Sequence, residues 1–80
     1  AKAERVFLAL LRMFAEQGRT VNHAGGSTYA PKVFAEHPKS EGMTKRALRV
    51  AMDALLMTGK IRIAQSGPPS KRRAHLELVE

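Results

Sequence analysis

The chain has 80 residues, of which 44% are hydrophobic and 26% are charged, a balance that suits one small globular domain and excludes a disordered segment. It contains no Cys, which excludes a disulfide scaffold, a thiolate metal site and a Cys nucleophile, and no apolar run approaches the ~20 residues that span a bilayer. We therefore expect a single domain over residues 1–80, cytoplasmic and without a membrane partner.

Residues 2–17 are predicted to form an amphipathic helix. Its apolar side chains recur at helical spacing on one arc of about 160°; they are Ala3, Val6, Phe7, Leu10, Leu11, Met13 and Phe14. Gly18 follows, where the C′ residue of a helix is expected. Residues 19–22 are a candidate for a short strand.

A short second helix is predicted at about residues 29–37, because Pro31 is tolerated in a first turn and Pro38 ends the helix. The Gly-Gly-Ser loop at 25–27 lacks the Gly-x-x-x-x-Gly-Lys-Ser/Thr spacing of a phosphate-binding loop, so we interpret it as a turn. The link at 37–43 is longer than the roughly 3–4 residues usual in a helix-turn-helix.

Residues 44–58 are predicted to form the third helix, capped by Thr44 and followed by Gly59 at the C′ position. Its core face consists of Ala47, Leu48, Ala51, Met52, Leu55 and Leu56. Val50 and Met57 are interpreted as the rim of the core. The alternative for these two is contact with a thymine methyl group or with a partner.

The last part of the chain predicts a β-hairpin. Apolar residues alternate with polar ones in both arms; the apolar ones are Ile61, Ile63, Leu76 and Leu78. The segment between the arms, 66–73, contains two prolines, which do not donate to a strand ladder. It also carries three consecutive basic residues, so we expect an exposed basic tip.

The positive charge is concentrated in one stretch. Residues 44–73 hold eight of the 14 Lys and Arg residues and only one of the seven acids, while the whole chain has a net charge of +7. Such local excess is the electrostatic signature of a polyanion-binding surface, with a merely soluble basic surface as the alternative.

The candidate nucleic-acid-binding residues are Thr44, Lys45, Arg46, Arg49, Arg62, Lys71, Arg72 and Arg73. A guanidinium group suits bidentate contact with guanine, so Arg46 and Arg49 are candidates for base contacts, whereas Lys45 suits a phosphate. For Arg62 an equal alternative is an ion pair with Glu77 across the strands.

Catalysis has no support in the sequence. The seven acids are scattered, and the three histidines lie in separate predicted elements without an i, i+4 pair. We therefore expect no enzyme activity, no cofactor and no metal. Because base stacking needs exposed aromatic residues and the chain has only one Tyr and three Phe, duplex DNA is favoured over RNA.

Three helices followed by a hairpin predict an α+β fold, and the arrangement resembles the winged-helix superfamily. Four runs resemble the C-terminal region of RepA-like RecA-fold ATPases from phages and plasmids; they are Tyr29–Ala35, Thr44–Leu48, Gly59–Arg62 and Gly67–Ser70. This resemblance implies a DNA-binding appendage of a replication or recombination motor, without the motor's own phosphate-binding motifs. A chain that starts at Ala1 fits an excised fragment and equally fits removal of the initiator Met.

The expected function is non-catalytic binding of duplex DNA through helix 44–58 and the basic wing 66–73, in replication or in transcription regulation. The alternative is a protein-interaction or dimerisation domain that uses the apolar stripe of helix 2–17. Its partner is then a second copy or another domain of a parent protein.

Overall fold

The computed structural model describes residues 2–67 and 73–79. In chain order it has the helices α1 (Lys2–Glu16), α2 (Ala30–Ala35) and α3 (Lys45–Met57), then the antiparallel strands β1 (Ile61–Ser66) and β2 (Arg73–Leu78). The predicted order of three helices and a hairpin in a small α+β domain is confirmed. In these ranges, no helix combines the length and the apolar character that a membrane crossing requires.

Helix α1 ends in the way that its sequence predicts. Gly18 has a φ of 70°, in the left-handed region, and its N–H bonds to the carbonyl of Ala15. The N–H of Arg19 bonds to the carbonyl of Phe14 at 2.8 Å, which completes a Schellman motif. The same pair of bonds closes α3 at Gly59, whose φ is 77°.

One apolar cluster forms the core, and Phe34 of α2 lies within it. The Phe34 ring packs edge-to-face against Phe7 at 4.9 Å and against Phe14 at 5.2 Å between ring centroids. The buried apolar side chains of α1 are Val6, Phe7, Leu10, Leu11 and Phe14. The predicted inward face of α1 is thus confirmed, and its centre is buried inside the chain.

The hairpin register places Ile61 opposite Leu78 and Ile63 opposite Leu76. The two isoleucines differ in burial, however, because Ile61 is 1% exposed and Ile63 is 43% exposed. The sequence predicts an equal inward role for both. Leu76, directly opposite Ile63, is only 4% exposed, so at this level the core covers β2 and leaves the side chain on β1 open.

The candidate third strand after α1 is corrected. Within the described residues the sheet has two strands. Val21 accepts a single backbone hydrogen bond from Leu76 at 2.8 Å, and Asn22 forms an isolated bridge with Tyr29. The chain turns away at Asn22 into a tight loop, so it stays beside β2 too briefly to form a ladder.

The predicted bounds of the helices are also corrected. Helix α2 is shorter than 29–37, since His37 is extended before Pro38 and accepts the N–H of Lys39 on its Nδ1 atom at 3.0 Å. The link to α3 is not a plain connector, because it contains a 3₁₀ turn at Pro38–Ser40. Thr44 and Thr58 cap α3 from outside the helix.

The two side chains interpreted as the rim of the core are not part of it. Val50 is 63% exposed and Met57 is 89% exposed. Both lie on the outward side of α3, because the core is filled by the opposite face of this helix. The alternative, that they contact a ligand or partner, stays a prediction.

Candidate nucleic-acid interface

The N-terminus of α3 is fixed by its cap. The hydroxyl oxygen of Thr44 accepts the N–H of Ala47 at 3.1 Å, and the Thr44 backbone is extended. This bond satisfies one of the N–H groups that the first turn of a helix leaves without a partner. Thr44 therefore has the structural role that its sequence position predicts.

Three basic side chains follow the cap on the solvent side of α3. Lys45, Arg46 and Arg49 are all exposed. Within residues 2–67 and 73–79, no carboxylate lies within ion-pair distance of any of them. Their charge is therefore available to a ligand.

Two of these cations lie in the first turn of α3, where the helix dipole disfavours positive charge. Lys45 and Arg46 occupy the first two helical positions, and this turn contains no acidic residue. A helix N-terminus carries a partial positive charge, so each cation there is unfavourable by about 0.3–1 kcal/mol. Residues whose placement lowers the stability of the fold, with no compensating contact, are typical of functional surfaces.

The loop between α1 and α2 is a closed turn built around Asn22. Its Oδ1 atom accepts the N–H groups of Ala24 at 3.0 Å and Gly25 at 2.9 Å, and its Nδ2 atom donates to Thr28 Oγ1 at 2.7 Å. Two N–H groups that a phosphate-binding loop would offer to its ligand are thus used inside the turn. Our interpretation of this loop as a turn is confirmed.

A groove of about 630 Å³ runs between this loop and α3. Its basic side chains are Lys45 and Arg49 from α3 and Lys32 from α2. Asp53 is the single acid that lines it. Lys45 is held in place on one side, because its Nζ atom lies 5.6 Å from the centroid of the Tyr29 ring.

A second groove, of about 440 Å³, lies on the other side of the same loop and reaches the hairpin. Arg73, the first residue of β2, lines it together with Ala74 and His75. Ala24 lines both grooves. The two grooves therefore adjoin at this loop.

Arg62 is ion-paired, which is the alternative that the sequence left open. Its Nε and terminal nitrogen atoms each lie 2.9 Å from the Oε2 atom of Glu77, and His75 Nε2 lies 3.3 Å from the Oε1 atom. The hydrogen bond from Arg62, followed by that from His75, lowers the pKa of Glu77. The charge of Arg62 is compensated here, whereas Arg73 has no ion pair within the described residues.

Of the predicted basic tip, Lys71 and Arg72 lie outside the described residues. The strands extend to Ser66 and begin again at Arg73, so the ends of the predicted 66–73 segment belong to the ladder. Among the described candidates, the structure brings Lys45, Arg46 and Arg49 together on one helix. Arg62 belongs to a separate polar cluster on the hairpin.

Lys32 is the basic residue of this surface that sequence reasoning missed. It lies on α2, outside the stretch of concentrated charge, yet it lines the same groove as Lys45 and Arg49. In the sequence, the one indication of its role is that Lys32 lies on the polar side of a short helix whose other face contains Phe34. The direction in which that face points depends on how α2 packs against α3.

Within the described residues, no group of three His, Asp or Glu side chains is arranged to hold a metal ion. His37 caps the 3₁₀ turn, and His75 contacts Glu77, so both have structural contacts.

No protein-family model, no curated protein and no solved structure matches this chain.

Proposed function

We propose that the chain is a winged-helix domain that binds duplex DNA, with α3 in the major groove and the hairpin on the phosphates beside it. The observation that carries the proposal is the exposed set of uncompensated cations on α3, with Arg73 on the adjoining groove. A helix about 10–12 Å wide fits the major groove of B-DNA, which is about 12 Å wide.

The order of the elements supports the winged-helix part of this proposal. The helices precede the hairpin, and the hydrogen bond from Leu76 to Val21 places the first part of the link between α1 and α2 beside β2. In such a domain the third helix reads the groove, and the residues near its N-terminus reach the base edges. These are the positions that Lys45, Arg46 and Arg49 occupy in α3.

The aromatic residues support duplex over single-stranded ligands. Phe7, Phe14 and Phe34 are at most 1% exposed, and Tyr29 is half-buried beneath Lys45. Readers of single strands stack bases on exposed rings. The three phenylalanines are buried in the core, so their rings are not exposed for stacking on bases.

The interaction-domain alternative rested on an apolar stripe of α1 wider than a small core could cover. The five large side chains at the centre of that stripe are each at most 3% exposed. Since they are buried within the chain, we do not propose this second function. The wider context, an appendage of a replication or recombination ATPase or a transcription regulator, belongs to the proposal and depends on the resemblance alone.

A salt series with labelled duplex DNA tests this function. Each neutralised phosphate contributes about −0.9 to the slope of log K against log salt, so three to five contacts give a slope between about −2.7 and about −4.5. The variant Arg49→Gln should bind more weakly, whereas Lys60→Gln removes one charge in a groove against α1 and should bind like the wild type. Absence of binding at low salt would contradict the proposal.

A further inference from the structure

Lys32 and the loop at 23–26 belong to a feature that the sequence did not reveal, the groove beside α3. Three cations from two helices line it against one acid, Asp53. Within the described residues none of these cations is ion-paired, although Asp53 is on the same wall. Three like charges in one concave surface repel one another, and a bound anion would relieve that repulsion.

The opposite wall of the groove leaves room for such an anion. Gly25 and Gly26 line it with positive φ angles of 139° and 86°, and a methyl group built on either residue would meet nothing within 4 Å. Because neither residue has a side chain, a ligand atom can approach the backbone closely. The loop itself is held in shape by the three side-chain bonds of Asn22.

The cationic wall is also partly pre-organised. The ring of Tyr29 lies under the Lys45 ammonium group, and Tyr29 is itself placed by a backbone bond to Gly26 at 3.3 Å. Lys32 is one helical turn beyond Tyr29, whose carbonyl accepts the N–H of Val33 at 2.9 Å. The two lysines are therefore positioned from the same short segment, so less conformational entropy is lost when an anion binds.

From this geometry we infer that the groove is a phosphate clamp, in which Lys32, Lys45 and Arg49 hold one phosphate group against the glycine loop. The inference rests on the proposed function where that phosphate belongs to a DNA backbone. A contact of this kind carries no sequence information, so it positions α3 in the major groove and leaves base reading to Arg46. Lys32 is then a DNA-contacting residue outside α3 and outside the hairpin.

The first arm of the test uses duplex DNA and the variant Lys32→Gln, with Lys60→Gln as the matched control. Since Lys45 and Arg49 still face the same phosphate, loss of Lys32 should reduce the salt slope by up to about 0.9. Between 50 and 200 mM salt, the wild type should therefore lose up to about 3.5-fold more affinity than Lys32→Gln. The effect should be equal for duplexes of different sequence, and Lys32→Arg should restore binding.

A second arm identifies the phosphate. Replacing single backbone phosphates by uncharged methylphosphonates should reveal one position where the substitution weakens wild-type binding more than it weakens Lys32→Gln binding, because the variant keeps only two of the three cations at that phosphate. Equal losses in both proteins at every position would overturn the clamp while leaving DNA binding in place.

A third arm separates the clamp from the proposed function. Titration of the isotope-labelled chain with pyrophosphate should give saturable amide shifts at Gly25, Gly26 and Lys32 in the wild type. The Lys32→Gln variant, which keeps two of the three cations, should need a higher pyrophosphate concentration to saturate. Saturable shifts without duplex binding would support an anion site and overturn the DNA proposal. Duplex binding that is identical in the wild type and Lys32→Gln would overturn the clamp alone.

Discussion

The position of Arg46 in α3 is unfavourable for the stability of the fold, while our proposal gives this residue a role in DNA binding. It is exposed and occupies the second position of α3, next to the partial positive charge of the helix N-terminus. Nothing in the described part of the chain compensates its charge. An acidic side chain would be better placed there for the stability of the fold.

The substitution Arg46→Glu is therefore expected to stabilise the fold while it weakens DNA binding. Removing one unfavourable dipole interaction and adding a favourable one should raise the free energy of unfolding by about 0.5–1.5 kcal/mol. Urea denaturation measures the first effect and anisotropy of labelled duplex DNA the second. Arg46→Gln should give roughly half of the gain, and a destabilised Arg46→Glu protein would contradict the dipole argument.

Thr44 is the N-cap of α3, and its side chain fixes where this helix begins. Its hydroxyl accepts the N–H of Ala47, and its extended backbone turns the chain out of the link that follows α2. The same helix end presents the three cations of the interface. The cap therefore helps to fix the position of these three cations.

At the scale of this element we expect Thr44→Ala to reduce the free energy of unfolding by about 1 kcal/mol, since it leaves a first-turn N–H without its partner. Thr44→Ser keeps the oxygen and should be close to the wild type. Thermal unfolding of the three proteins measures the difference. DNA affinity well below the transition should stay similar in all three, and a large loss in Thr44→Ala alone would show that the hydroxyl contacts the ligand.

The link between α2 and α3 ties the elements of the whole molecule together. Arg5 of α1 forms a two-bond pair with the carboxylate of Glu41, at 3.1 and 3.2 Å. Among the described residues Glu41 is the one non-Gly residue with a positive φ, at 55°, a conformation that L residues disfavour. The pair thus connects the first helix to the segment that orients α3.

This pair makes the stability of the whole domain depend on acid pH. The hydrogen bond from Arg5 lowers the pKa of Glu41 from its usual 4.5, so folding favours the ionised form. That contribution is present above the unfolded-state pKa and is lost as the pH falls through the lowered pKa of the folded state. Arg62 and His75 lower the pKa of Glu77 in the same direction.

We therefore expect the urea midpoint to fall as the pH decreases from about 5 to 3, and to fall less in Glu41→Gln. At pH 7 that variant should be less stable than the wild type, and Arg5→Gln should resemble it. Glu36→Gln is the control, because Glu36 is an exposed carboxylate with no ion pair in the described part of the chain. Equal pH dependence in Glu41→Gln and in the wild type would contradict the assigned role.

Periodicity and local chemistry were enough to predict the three helices, the hairpin and most of the core. The spacing of apolar residues predicted α1 and α3, and Gly18, Thr44 and Gly59 predicted their ends, because caps act within one or two turns of chain. The alternation around Arg62 predicted the hairpin and offered the Arg62–Glu77 pair as one of two alternatives. Charge content predicted which helix would present a basic face.

The contacts between residues that are distant in sequence were decided by the tertiary structure alone. It brought Lys32 to the groove of Lys45 and Arg49, because the packing of α2 against α3 depends on contacts distant in sequence. It paired Arg62 with Glu77 and left Ile63, Val50 and Met57 exposed, because burial depends on what covers a residue as well as on its own character. The chain's sequence thus determined its helices, its hairpin and its charge, and long-range packing decided which cations share a surface.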